Sequence, residues 1–279
     1  MPGVCCWAGG YVFVCGRMPK MKIVFLDTET TGNEPSKDRL CQVCWAVGGV
    51  FHTEYFKPPL PISVKSMSIT HITNKMVDDK PVFADSPFKK DLEAVLTDHI
   101  LIAHNARFDI AMLASEGVTV PKHICTLRLA RYLDPDNKIP EYGLQFLRYF
   151  LELDVEGSAA AGEYATALGF ATAGIPAKQI SAHDAEGDVR VLAALFMRLF
   201  AKMKAADTYI DDDAVLAAMC RVSETPTLFT IMPFGKHKGT RIDSIARSDP
   251  NYLKWLLQQK LADGEQDEDW IYTLKTYVG

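Results

Sequence analysis

Residues 23–32 read IVFLDTETTG. Ile23 to Leu26 is a short continuous apolar run, which predicts a strand covered on both faces rather than a half-exposed one. The run ends in Asp27-Thr28-Glu29. On an extended chain, residues two apart share a face, so both carboxylates project from one side, roughly 6.5 Å apart along the strand. Ionised carboxylates at the end of a buried strand are costly unless they are paired or coordinated. Such a tripeptide also occurs in solvated turns, so its meaning depends on the rest of the chain.

Working outward, Leu40–Val47 and Val50–Phe56 read as strands, joined by Gly48-Gly49, a hairpin turn that needs positive φ. Ser86 is placed to cap a helix from Pro87, with Phe88, Leu92, Val95 and Leu96 on one face. Ile100–Ala103 is a second buried strand. It runs into HNARFD at 104–109, where a helix over 106–116 opens, followed by helical patterns over Thr126–Leu133 and Tyr142–Leu153. HDAEGD at 183–188 precedes a long helix, Gly187–Met203, with Val191, Leu192, Leu195, Phe196, Leu199 and Phe200 as its buried stripe. Strands first, then alternating helices and strands, argue an α/β layered fold with a mixed sheet.

Each acidic segment has an ordinary explanation when taken alone. Asp109 is an acid in a first helical turn, which the helix dipole favours, and Asp184 is a cap. Together they are more specific. Asp27, Glu29, Asp109 and Asp188, with His183, come from three separated segments and suit two divalent cations. Hard ions such as magnesium take carboxylate oxygens and keep waters for chemistry.

Composition bounds the rest. At 279 residues the chain is one large domain or two smaller ones, and 48% apolar with 23% charged residues is ordinary globular usage. The net charge of −5 excludes a histone-like basic protein but leaves nucleic acid open as a substrate. No apolar run is long enough to span a bilayer. The apolar stretch Val4–Cys15 has no basic residue before it, with Arg17 and Lys20 after it. Residues 1–20 therefore read as an extension, disordered or upstream of the natural start at Met18 or Met21. Cys41 and Cys44 fall on opposite faces of a strand with no second pair following, so they read as structural thiols in a reducing compartment. The chain is expected to be cytoplasmic.

Beyond the long helix, residues 203–225 read as a linker, with Asp213 capping a short helix through Cys220. Pro226 opens a second unit, 226–279: a strand-like Thr227–Pro233, a basic turn GKHKG at 235–239, and an amphipathic helix Asn251–Lys260. Residues 226–260 hold six Lys/Arg and two Asp/Glu, a balance of +4. Lys236, Lys238 and Arg241 are placed to grip phosphates. The alternative is a solvated hairpin that docks to a protein partner, with Tyr252 and Trp255 as core.

These segments resemble the DEDDh branch of the DEDD 3′–5′ exonucleases, the DnaQ-like superfamily. DTETTG at 27–32 is similar to the first motif of that family, HNARFD to the second, and His183 with Asp188 to the third. SITHITNKMV at 68–77 and CTLRLARYL at 125–133 resemble its connecting segments. The tail at 232–257, MPFGKHKGTRIDSIARSDPNYLKWLL, is similar to the C-terminal module of the exodeoxyribonuclease X group. The Ala/Gly-rich residues 156–182 stand where that group is short.

The resemblance implies a ribonuclease H-like mixed five-stranded sheet flanked by helices over 21–202, plus a small C-terminal α+β module. It implies two Mg2+ ions, replaceable by Mn2+, with Asp27 bridging both, Glu29 and Asp188 on one, and Asp109 holding the second through water. His183 is then the general base. Thr28 and Thr30 contact the terminal nucleotide, with Asn105 and His71 as further substrate contacts. The implied activity is release of nucleoside 5′-monophosphates from DNA 3′ ends in repair. The alternatives are RNA trimming, a polymerase proofreading subunit and, in another class, a nucleic-acid-binding module without turnover. Residues 21–205 carry every catalytic element and are expected to fold and cut alone.

Overall fold

The computed structural model describes residues 22–135, 138–153, 184–206, 208–262 and 268–279. The N-terminal extension, the Ala/Gly-rich 156–182 and His183 lie outside the described residues. The apolar run forms the centre of β1 (Lys22–Thr30), where Val24, Phe25 and Leu26 have no exposed surface. Its neighbours are β2 (Leu40–Val47) and β3 (Val50–Tyr55) on one side, β4 (His99–Ala103) and β5 (His123–Cys125) on the other. The sheet order is β3-β2-β1-β4-β5. β1–β2 and β2–β3 are antiparallel, while β1–β4 and β4–β5 are parallel. The hairpin turns through Gly48 and Gly49 at φ 56° and 81°, a conformation that costs glycine least.

Helices cover both faces. They are α1 (Val64–Thr70), α2 (Asn74–Val77), α3 (Pro87–Leu96), α4 (Ala106–Ser115), α5 (Thr126–Tyr132), α6 (Leu144–Phe150) and α7 (Ala185–Ala206). Val24 and Leu26 pack with Leu92 and Leu96 of α3 and with Met112 and Leu113 of α4. Phe25, on the opposite face, packs edge-on against Phe196 of α7 at 5.5 Å. Every residue of the expected α7 stripe is buried. Ser86 caps α3, accepting from the Lys89 N–H at 3.1 Å. Cys41 and Cys44 lie in different clusters, their thiols pushed up to about 12 chiefly by burial, as structural cysteines.

The region read as a linker differs from that reading. α8 runs Asp212–Glu224, longer than expected, and its cap is Asp211, which accepts from the Ala214 N–H at 2.9 Å, not Asp213. Val215, Leu216, Ala218 and Met219 of α8 join the same core as Phe25. The Cys125 N–H of edge strand β5 donates to Ser223 Oγ at 2.8 Å. An edge strand leaves backbone groups unpaired, and α8 supplies a partner for one of them. A fragment ending at residue 205, which was expected to fold alone, lacks this cover.

The C-terminal residues form α9 (Ile242–Ser248), α10 (Pro250–Ala262) and α11 (Glu268–Val278) around their own core, which includes Met232, Ile242, Leu253 and Trp270. Among the described residues its β component is one isolated bridge, Ile231 to Arg241. The sequence reading placed no helix at α11, and Trp255, which the alternative reading made core, is 53% exposed. The module docks through charge. Asp269 of α11 binds Arg128 at 2.9 Å and Arg131 at 2.7 Å, both on α5, and accepts from the Thr227 N–H at 3.0 Å. Arg128 also donates to the Ser223 carbonyl at 2.7 Å, and Glu268 pairs with Arg107 of α4 at 2.6 Å. Among the described residues, no helix is long and apolar enough to cross a membrane.

Candidate active site

The polar end of β1 carries the site. Strand alternation places Asp27 and Glu29 on the Phe25 face, toward α7, and Thr28 on the Leu26 face, toward α4. α7 brings Asp188 in its first turn. One oxygen from each of Asp27, Glu29 and Asp188 lies within 4.8 Å of the others. Asp109, buried in the first turn of α4, stands outside that triplet and accepts from Thr28 Oγ1 at 2.8 Å. The strand end is thus clasped from both faces by helical acids.

The described charges that act on Asp27 and Glu29 are negative. Burial raises Asp27 well above the usual carboxylate range, reinforced by Asp109, Asp188, Glu29 and Asp184. Burial, then Asp188, Asp109 and Asp184, push Glu29 up to about 8. Burial takes Asp109 up to about 7 even though the Thr28 hydrogen bond favours its anion. Without a counter-charge, clustered buried carboxylates hold protons instead. A donor set of closely spaced carboxylate oxygens fits a hard divalent cation.

Two supporting residues escaped the sequence reading. Gln145 of α6 donates from Nε2 to Asp188 Oδ1. Gln42 of β2 donates to Asp184 Oδ1 at 2.9 Å and accepts from the Ala185 N–H at 3.2 Å, fixing the start of α7. A fully buried Gln in the apolar strand LCQVCWAV, facing Glu29 across the β1–β2 register, was the available signal for Gln42. Gln145, on an amphipathic helix, gave none.

The other expected site residues are placed as follows. Thr30 is buried and donates to the Gly32 carbonyl at 2.6 Å, so both threonine hydroxyls are engaged within the chain. Asn105 and His71 are exposed non-glycine residues at φ 60° and 58°, at the N-terminus of α4 and the C-cap of α1. Left-handed backbone at such residues is uncommon and gathers at functional sites. His104 is internal. Its Nε2 lies 2.8 Å from the Tyr142 carbonyl, which fixes the proton there, and Nδ1 lies 3.0 Å from Thr126 Oγ1. Burial holds it down to about 4, so it stays neutral. Lys236, Lys238 and Arg241 sit on the C-terminal module, with Lys236 bound to Asp249 at 2.6 Å and Arg241 to Asp243 at 3.1 Å.

A mixed five-stranded sheet with buried carboxylates at the end of its central strand defines a ribonuclease H-like nuclease. The family model described as Exonuclease matches residues 24–196, and the chain belongs to that family. Members generally use divalent metal ions, and the carboxylate cluster offers ligands for one. Exodeoxyribonuclease 10 of Escherichia coli (strain K12) is 28% identical over 234 residues, covering 83% of this chain and 88% of that protein. The DNA polymerase III subunit epsilon of Buchnera aphidicola (strain APS) is 31% identical over 142 residues, covering 43% of this chain and 59% of that one. A solved structure of exonuclease X in complex with 5′ overhanging duplex DNA aligns with 72% of this chain and 99% of that chain, at 24% identity and a TM-score of 0.49.

Proposed function

We propose that the chain is a metal-dependent 3′–5′ exonuclease that releases nucleoside 5′-monophosphates from DNA 3′ ends, acting in cytoplasmic DNA repair. The observation that carries this reading is the triplet of Asp27, Glu29 and Asp188, with Asp109 beside it. The choice of DNA is supported by Exodeoxyribonuclease 10, whose similarity extends over most of both chains. The epsilon subunit favours proofreading as a second reading, but its match covers less than half of this chain.

Asp27, Glu29 and Asp188 would hold one divalent cation, with Asp27 and Asp109 serving a second; Mg2+ is the proposed ion and Mn2+ its substitute. Bound cations supply positive charge to the phosphate and activate water. The chain's own groups do the rest. Thr28 orients the Asp109 carboxylate, and Gln145 holds one oxygen of Asp188, which fixes how its other oxygen is presented. Asn105 and His71 stand exposed as contacts for the terminal nucleotide, with Lys236, Lys238 and Arg241 for the strand beyond. His183 takes the proton from the attacking water, and the 3′ oxygen leaves.

DNA labelled at its 5′ end should shorten in single-nucleotide steps with Mg2+ or Mn2+, and stop with chelator. RNA shortened faster than DNA, or label released first as a mononucleotide, contradicts the proposal. His183→Ala should lower the single-turnover rate by roughly 10²–10⁴-fold while metal affinity holds. If metal affinity collapses and turnover recovers at saturating metal, His183 is a ligand instead of the base.

A further inference from the structure

The C-terminal module presents a face that is aromatic and basic together. α10 buries Leu253 and Leu256 but leaves Trp255 53% exposed. An exposed tryptophan alone is ordinary on a protein surface. This one has ordered neighbours. The Tyr252 ring lies 5.8 Å from it, His237 meets Tyr252 edge-on at 4.8 Å, and Lys236 Nζ stands 5.0 Å from the Tyr252 centroid. The arrangement is held from below. Asp249 binds Lys236 at 2.6 Å and His237 at 3.0 Å. Gly235, at φ 67°, lets the turn come so close that a Cβ there would meet Tyr252 Oη at 2.6 Å.

Lys238 follows the same turn and Lys254 precedes Trp255 in the chain, and residues 226–260 carry a local surplus of four positive charges, offset in the module by the acids of 263–269. An exposed ring packed on the Tyr252 ring, which Lys236 overlies, matches a base with its phosphates. A protein partner covering an apolar ring has no need of that surplus.

We propose that Trp255, with Lys254 and Lys238 as phosphate contacts, is a stacking subsite for unpaired bases of single-stranded DNA, upstream of the 3′ end being cut. The subsite rests on the reading of this chain as a DNA exonuclease and extends its substrate path onto the C-terminal module.

The test uses the full chain in chelator, so that no DNA is consumed. Fluorescein-labelled oligothymidylates of about five and about twenty nucleotides, around the usual site size of single-strand binders, are followed by anisotropy. Trp255→Ala should weaken binding of the longer oligomer by roughly 5–150-fold, the size of one lost base stack. Trp255→Phe should restore most of that loss. Tyr272→Ala removes an aromatic that is 41% exposed on a different helix, α11, and should bind as the parent does. Undiminished affinity in a Trp255→Ala variant with unchanged circular dichroism overturns the subsite, and assigns the face to a protein or to solvent. Each failure is distinguishable. A chain that binds the longer oligomer through Trp255, yet releases no nucleotide with Mg2+ or Mn2+, overturns the exonuclease reading and leaves the subsite standing.

Discussion

Asp27→Asn should reduce nucleotide release by about 10³-fold or more, and in chelator it should make the protein more stable. The first effect follows from losing a carboxylate at the centre of the cluster, since metal-assisted charge stabilisation is worth several kcal/mol in the transition state. The second follows from the sign of the shifts. Asp27 and Glu29 bind their protons more tightly in the folded chain than a free carboxyl does, Glu29 moving from 4.5 to about 8. Groups raised in this way contribute stability at low pH and lose it as pH rises through the folded value. The metal-free protein should therefore weaken between about pH 4.5 and about pH 8. Removing one charge relieves the repulsion. At pH 8 in chelator, Asp27→Asn should melt about 2–8 °C above the parent, equivalent to roughly 1–2 kcal/mol. Divalent metal should then close the gap by stabilising the parent alone. Thermal melts at pH 6 and pH 8, with and without metal, check this. An inactive variant that melts lower than the parent in chelator would mean that Asp27 serves the fold and not a cation.

The second large effect concerns the latch between α11 and α5. Asp269 is 8% exposed and satisfies both Arg128 and Arg131 as well as the Thr227 N–H. Asp269→Ala leaves Arg131 without its carboxylate and Arg128 with Glu268 alone, which should cost about 1.5–3 kcal/mol. Urea denaturation measures the loss. Replacing the three together, Arg128→Met and Arg131→Met with Asp269→Leu, should recover most of it, because the desolvation cost of the ions disappears with their attraction. A loss below about 1 kcal/mol would place the pair with ordinary surface salt bridges, against the burial of Arg128 at 6%. The same latch bears on truncation. A chain ending at residue 205 loses Asp269, the Ser223 partners of Cys125 and Arg128, and the α8 side chains that complete the main core.

Much of this protein was legible before its structure. The unbroken apolar run Ile23–Leu26 dictated a strand covered on both faces, and the stripe from Val191 to Phe200 dictated the helix that covers one of them. Period-two and period-3.6 patterns are local, so they survive reading in one dimension. The acids were legible for a related reason: polar residues at the ends of buried strands and in the first turns of apolar-faced helices stand out from their surroundings. Their mutual distances were not. That Asp27, Glu29 and Asp188 converge, while Asp109 is approached through Thr28 on the other face, depends on where α4 and α7 lie against the sheet. Packing likewise decided that α8 belongs to the main core. It decided too that Arg128 is buried while Trp255 is exposed, the reverse of what their side chains suggest. Burial depends on what a segment distant in sequence places opposite a residue. Asp269 stands 141 residues beyond the arginine it neutralises, and no local pattern records that pairing.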